Sequence, residues 1–224
     1  GLFRIFVFVR LYMRKKIYFV RHGESEGNVE PIWQGKDSPL TQKGKEQAAF
    51  IAERCMKFPI EVIISSVLRR ARETAEIIAA KTSVPLETSD LFFERRRPKE
   101  QAGRPKDDPE AIRSEKEVWA NFHIPGFRFS DEENFDDLKE RAGRALAFLE
   151  HRPENNILVV THGFFMRILA ARAVFGEELT GHECERFIRA FHTENTGITV
   201  FSFDKERDDS PWRLWVWNDH AHLG

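Results

Sequence analysis

The pattern that most restricts the fold occurs twice. Ile17-Tyr18-Phe19-Val20 is followed by Arg21-His22-Gly23, and Ile157-Leu158-Val159-Val160 is followed by Thr161-His162-Gly163. Each copy is a short apolar run, one polar spacer, a histidine and a glycine. Apolar runs of this kind, bounded by turn residues, read as strands buried on both faces, the signature of a parallel sheet. Strands of a parallel sheet end on the same edge, so His22 and His162 are expected to face one another there. Either exit alone reads as a strand ending in solvated polar residues. The second copy turns the pair into a candidate site.

The chain between and beyond these strands alternates. Thr41 reads as the N-cap of a helix reaching about Cys55, with Ala48, Ala49, Ile51 and Ala52 inward. A strand over 61–65 exits through Ser65-Ser66 into a helix beginning near Arg69, whose Ala71, Ala75 and Ile78 share a face. Leu86 falls in a short strand. Residues 94–109 are rich in proline and charge and read as a long surface loop, a common place for function. A helix over 110–121 follows. Ser130 with Glu133 reads as a capping box opening a helix with Phe135, Leu138, Ala142, Ala145 and Leu149 on one face, stopped at Pro153. A helix over 164–175 follows the second histidine, and strands over 198–203 and 212–217 read as an antiparallel pair at the sheet edge. This order predicts one α/β domain over residues 13–224, a three-layer α/β/α sandwich around a mostly parallel sheet. Residues 1–12 read as an extension, an apolar run broken by Arg4 and Arg10 and too short to cross a bilayer. They offer at most a weak membrane-surface contact and no stable insertion.

Composition narrows the partners. The net charge is −1, so nothing in the overall charge attracts nucleic acid, and any anion chemistry must come from local arginines. The two cysteines, Cys55 and Cys184, lie outside any metal-ligand or C-x-x-C spacing and read as packing thiols in a reducing, cytoplasmic compartment. His220-Ala221-His222 lacks an evident third ligand, and no carboxylate cluster is spaced for a catalytic metal. The expected chemistry therefore uses no metal and no resident cofactor. Trp212, Trp215 and Trp217 read as a packed edge strand or an interface, which leaves an oligomer open.

Three strand exits supply polar groups to one sheet edge: Arg21-His22, Arg69-Arg70 and His162. Open α/β sheets bind ligands at the carboxyl ends of their strands. Arginine forks bind phosphate oxygens in bidentate fashion, and a neutral imidazole can attack phosphorus in line. Such a reaction also needs an acid for the leaving alkoxide.

With these residues in place, the chain resembles the histidine phosphatase superfamily, the phosphoglycerate-mutase-like enzymes. The matching stretches are Arg21-His22-Gly23-Glu24-Ser25 with Asn28, then Asp37-Ser38-Pro39-Leu40-Thr41-Gln42-Lys43-Gly44 with Gln47-Ala48, and Ser65-Ser66-Val67-Leu68-Arg69-Arg70-Ala71-Arg72-Glu73-Thr74-Ala75. Val160-Thr161-His162-Gly163 and Asn195-Thr196-Gly197 complete the set. An Arg-His-Gly triplet alone is a weak signal; all five stretches in order are a strong one. The resemblance implies a phosphoglycerate-mutase-like fold, with His22 as the phosphorylated nucleophile and Arg21 and Arg70 as phosphate ligands. The family's arginine directly precedes an alanine, which selects Arg70 and leaves Arg69 and Arg72 solvated or structural. His162 is implied as the second phosphate-contacting histidine, with Gly163 and Asn28 among the substrate-binding groups. Glu94, after Leu91-Phe92-Phe93, matches the proton donor, with Glu24 and Glu26 as competing acids. Apolar neighbours are expected to keep Glu94 protonated. Arg95-Arg96-Arg97 reads by default as a solvated charged loop, and alternatively as a contact for a second anionic group on the substrate.

The resemblance implies metal-independent phosphomonoester hydrolysis through a phosphohistidine on His22. A cofactor-dependent phosphoglycerate mutase shares this chemistry, but Glu94-Arg95 runs into Arg96-Arg97-Pro98 where mutases continue with Tyr-Gly. A non-catalytic phospho-ligand module ranks below both, because His22, Arg21, Arg70 and His162 are all present. The expected substrate is a small phosphorylated metabolite or a phosphorylated peptide.

Overall fold

The computed structural model describes residues 14–33, 37–207 and 210–224. The expected extension over 1–12 and the domain start at Met13 lie outside the described residues. In chain order the elements are β1 (Lys15–Arg21), α1 (Glu26–Val29), α2 (Gln42–Cys55), β2 (Val62–Ser66), α3 (Arg69–Thr82) and β3 (Leu86–Ser89). They continue with α4 (Pro109–Ala120), α5 (Phe135–His151), β4 (Asn156–Thr161), α6 (Gly163–Phe175), α7 (Gly181–Ala190), β5 (Ile198–Phe203) and β6 (Trp212–Asp219).

The sheet order is β3-β2-β4-β1-β5-β6. The first four strands run parallel, and β5 and β6 complete the sheet in antiparallel pairing. The two sequence copies lie side by side in register, Ile17 opposite Ile157 and Arg21 opposite Thr161. The period-two alternation of a strand sorts their side chains between the faces. Ile17, Phe19, Ile157 and Val159 pack with α5 and α6, whereas Tyr18, Val20, Leu158 and Val160 pack with α2 and α3. This is the expected three-layer sandwich. Helix α6 is apolar nearly all round and is buried accordingly, from Phe164 and Phe165 to Ala173.

One reading needs correction, and one helix is added. Helix α5 is capped by Asn134, not Ser130: Asn134 Oδ1 accepts from the Asp137 N–H and Asp137 Oδ2 from the Asn134 N–H, each at 3.0 Å. Glu132 instead accepts from the Phe129 and Ser130 amides, and Glu133 binds Arg141. The box that wins is the one directly abutting the apolar stripe, where the helix begins to bury surface. Residues 94–109 form the expected surface loop, much of it exposed, in which Arg95, Pro98 and Gln101 are nonetheless buried. Helix α7 was not anticipated; Thr180 and Glu183 form its capping box. Of the aromatic tail, Trp212 is buried and Trp215 is exposed.

Candidate active site

Parallel register alone brings His22 and His162 together. Each follows the last residue of its strand, and their ring centroids lie 5.1 Å apart with planes at 57°. Both rings are buried. His22 Nδ1 lies 2.7 Å from the Gly23 carbonyl, which can only accept, so Nδ1 carries the hydrogen and Nε2 keeps its lone pair. Arg70 Nε donates to that Nε2 at 3.2 Å. Burial, then Arg70 and Arg21, hold the His22 imidazole well below its ordinary value, so the ring is neutral near pH 7.

Arg70 stands in the first turn of α3 and is buried. Burial pulls its guanidinium down to about 10, still charged at neutral pH. Arg69 and Arg72 face outward to Glu73 and Glu76, as expected. Arg21 closes β1, where its Nη1 donates to the Thr193 carbonyl at 2.6 Å. His162 caps α6, with Nε2 2.8 Å from Ser66 Oγ. Ser66 Oγ already accepts from the Leu68 N–H, so its own hydrogen is available to Nε2. With the hydroxyl as donor, the ring hydrogen of His162 lies on Nδ1. Burial and then Arg70 hold the His162 imidazole well below its ordinary value.

His162 Nδ1 and Arg21 Nε are both buried without a hydrogen-bond partner. A buried donor left unpaired costs roughly 1–3 kcal/mol. Two of them beside an imidazole lone pair and a second guanidinium form a place for the oxygens of an anion. Gly163 lets this cluster close. A Cβ there would lie 2.7 Å from Thr193 Oγ1 and 3.2 Å from Arg21 Nε.

Glu94 joins the same group, since its charge acts on Arg21, Arg70 and Arg167. Its surroundings differ from the apolar ones expected. Oε1 accepts from the Phe165 amide at 3.1 Å and from the Arg95 amide at 3.0 Å, at the N-terminus of α6. The competing acids are elsewhere: Glu24 is bound to Thr41 and Lys43, and Glu26 opens α1. Asn28 Oδ1 accepts from the N–H and the hydroxyl of Ser25, the N-cap of α1, each at 3.0 Å.

Arg95-Arg96-Arg97 divides in three. Arg95 is buried against Glu115, with its guanidinium 4.3 Å from the Phe164 ring centroid. Arg97 binds Glu115 and Gln101 and lies over Trp33. Arg96 alone is exposed and reaches the Asp131 carbonyl. The solvated reading holds for Arg96 only.

Several contributors had no assigned role in the sequence. Ser66 orients His162. Asn195 Nδ2 donates to the His22 carbonyl at 2.8 Å. Arg141 holds the Leu91 and Phe93 carbonyls at 3.0 and 2.9 Å and so fixes the chain leading into Glu94. Its signal was a charged residue on the stripe between Leu138 and Ala142.

The model of the histidine phosphatase superfamily (branch 1) matches residues 17–220. The chain belongs to that superfamily. A curated relative in Salmonella arizonae, named "Probable phosphoglycerate mutase GpmB", is 35% identical over 161 residues, covering 70% of this chain and 73% of the relative. The solved structure of Bacillus stearothermophilus YhfR is similar at a TM-score of 0.75 and 27% identity, covering 94% of this chain and all of that one. An alpha-ribazole phosphatase from Shigella flexneri has the same fold at a TM-score of 0.75 and 22% identity, over 92% of this chain and 97% of that one. Superfamily membership supports an enzyme of phosphoryl transfer. Among the described residues no helix is long and apolar enough to cross a membrane.

Proposed function

We propose that the protein is a phosphomonoesterase that works through a phosphohistidine on His22. The observation that carries this reading is the buried His22 Nε2 lone pair, flanked by Arg70 and by the unpaired donors of Arg21 and His162. A phosphoryl group entering this cluster takes the Arg70 hydrogen bond onto its own oxygens. That releases the lone pair for in-line attack. The P–N bond forms as the P–O bond to the leaving alkoxide breaks, and Glu94 supplies the alkoxide with a proton. Arg21, Arg70 and the His162 Nδ1 hydrogen meet the charge spread over the equatorial oxygens. Water, deprotonated by Glu94, then cleaves the phosphohistidine and restores His22.

The mutase reading is favoured by the name of the relatives. Against it, Arg95 and Arg97 already share the carboxylate of Glu115, which lowers the positive charge left for the carboxylate of a sugar acid. The substrate class we propose is a small phosphorylated metabolite or peptide, handled by a cytoplasmic enzyme.

Hydrolysis of p-nitrophenyl phosphate tests the reading. His22→Ala is expected to abolish turnover, and label from a radioactive phosphoester is expected on His22 after acid-free quenching. Retained activity in the variant overturns it. Phosphoglycerate turnover that requires a bisphosphoglycerate primer would move the assignment to the mutase.

A further inference from the structure

The end of α4 and the start of α7 bring together three side chains that the phosphate chemistry does not use. His123 follows α4, and His182 and Glu185 sit one turn apart on α7. The two imidazoles are stacked, with centroids 4.0 Å apart and planes at 17°. One ligand atom from each of His123, His182 and Glu185 lies within 4.8 Å of the other two. The fold brings these chains unusually close. Gly181 lies against the His123 backbone, where a Cβ would meet the His123 Cα at 2.6 Å. Any other residue at that position would push α7 off the segment carrying His123.

We propose that His123, His182 and Glu185 form a transition-metal site of the zinc class, separate from the phosphate cluster. Two imidazoles and one carboxylate are the donor set of an open zinc site, with water completing the tetrahedron. Zinc–nitrogen bonds near 2.0–2.1 Å place neighbouring ligand atoms about 3.3 Å apart. The groups must therefore draw in by about 1.5 Å at most, within the reach of side-chain rotation for His182, which is exposed. Glu185 Oε1 is engaged by Arg189 at 2.8 and 2.9 Å, so Oε2 is the oxygen left for the ion. The tail pair is a poorer candidate, because His222 is already held by Thr196.

The bound ion would tie the segment after α4 to α7. That segment leads back to Trp119, whose ring packs edge-on to Phe164 at 6.0 Å and whose Nε1 binds Glu115. A clip here steadies the packing of Trp119 on Phe164 at the start of α6 without entering the reaction.

The test uses the full chain, stripped with a chelator and titrated with zinc chloride by calorimetry. One equivalent is expected to bind, with at least tenfold weaker binding in His182→Ala and in His123→Ala. Glu185→Gln is expected to weaken binding less. Amide exchange across residues 121–126 and the first turn of α7 is expected to slow with zinc in the native chain and not in His182→Ala. His182 is exposed, so that variant should fold, as checked by far-UV circular dichroism. Binding that survives both histidine substitutions, that is lost instead in His222→Ala, or that does not occur at all overturns the proposal.

Discussion

Arg70 Nε donates to His22 Nε2 at 3.2 Å, on the one nitrogen of that ring that the Gly23 carbonyl leaves unprotonated. On the proposed mechanism, the resting site covers its nucleophile with the group that would hold the phosphate. Attack and binding would then be coupled, because the lone pair would become available only when phosphate oxygens take over the guanidinium. Arg70→Ala should therefore lower kcat/KM by roughly 10²–10³. Arg70→Lys should restore little, since a lysine lacks the planar fork. Steady-state kinetics, with vanadate as a competing anion, measures both effects.

The two buried imidazoles make stability depend on pH with a definite sign. Both His22 and His162 are held well below the ordinary value by burial first. An imidazole in the unfolded chain takes up a proton near pH 6.5, so below that value the unfolded state binds more protons than the native one. Stability is fully present above about pH 6.5 and falls as the pH drops toward the folded values, by up to about 1.4 kcal/mol per pH unit for each ring. Urea unfolding between pH 7.5 and 5 should show this slope. The variant His22→Asn with His162→Asn should flatten it. Equal slopes in the two proteins would sink the neutral-histidine reading.

Glu94 is proposed to protonate the leaving group, and leaving-group basicity tests that role. Glu94→Gln should slow hydrolysis of an alkyl phosphate by about 10²–10⁴. It should slow p-nitrophenyl phosphate much less, because that leaving group departs without a proton. A uniform loss on both substrates would reassign Glu94 to binding.

Arg141 should matter as much for the placement of Glu94 as for stability. It is buried against Glu133, holds the Leu91 and Phe93 carbonyls, and lies between the rings of Phe93 and Phe165. Arg141→Met leaves Glu133 with an uncompensated buried charge, a loss of roughly 3–5 kcal/mol. Chemical denaturation measures that. Kinetics at a temperature where the variant remains folded should show a fall in kcat greater than the change in KM.

Much of the architecture was legible because it follows from local chemistry. The apolar runs at Ile17 and Ile157, the N-cap at Thr41 and the stripe from Phe135 to Leu149 each state their element within a few residues. The start of α5 was misplaced because Ser130-Glu133 and Asn134-Asp137 carry the same capping pattern, and only the burial of Phe135 decides between them. Helix α7 escaped notice because it is short and rich in charge. Arg95 was misread for a related reason: its charge says solvent, and Glu115, far along the chain, is what lets it be buried.

The sequence by itself determined the sheet, the shared edge and the residue types gathered there, since strand periodicity and a repeated strand exit are local properties. Only the tertiary structure decided which nitrogen of His22 is free, which donors remain unpaired, and that Glu94 rests on the amides of α6 rather than among apolar side chains. Those depend on distances of about 3 Å between groups remote in the chain, and a hydrogen bond's direction is set by packing that no single segment encodes.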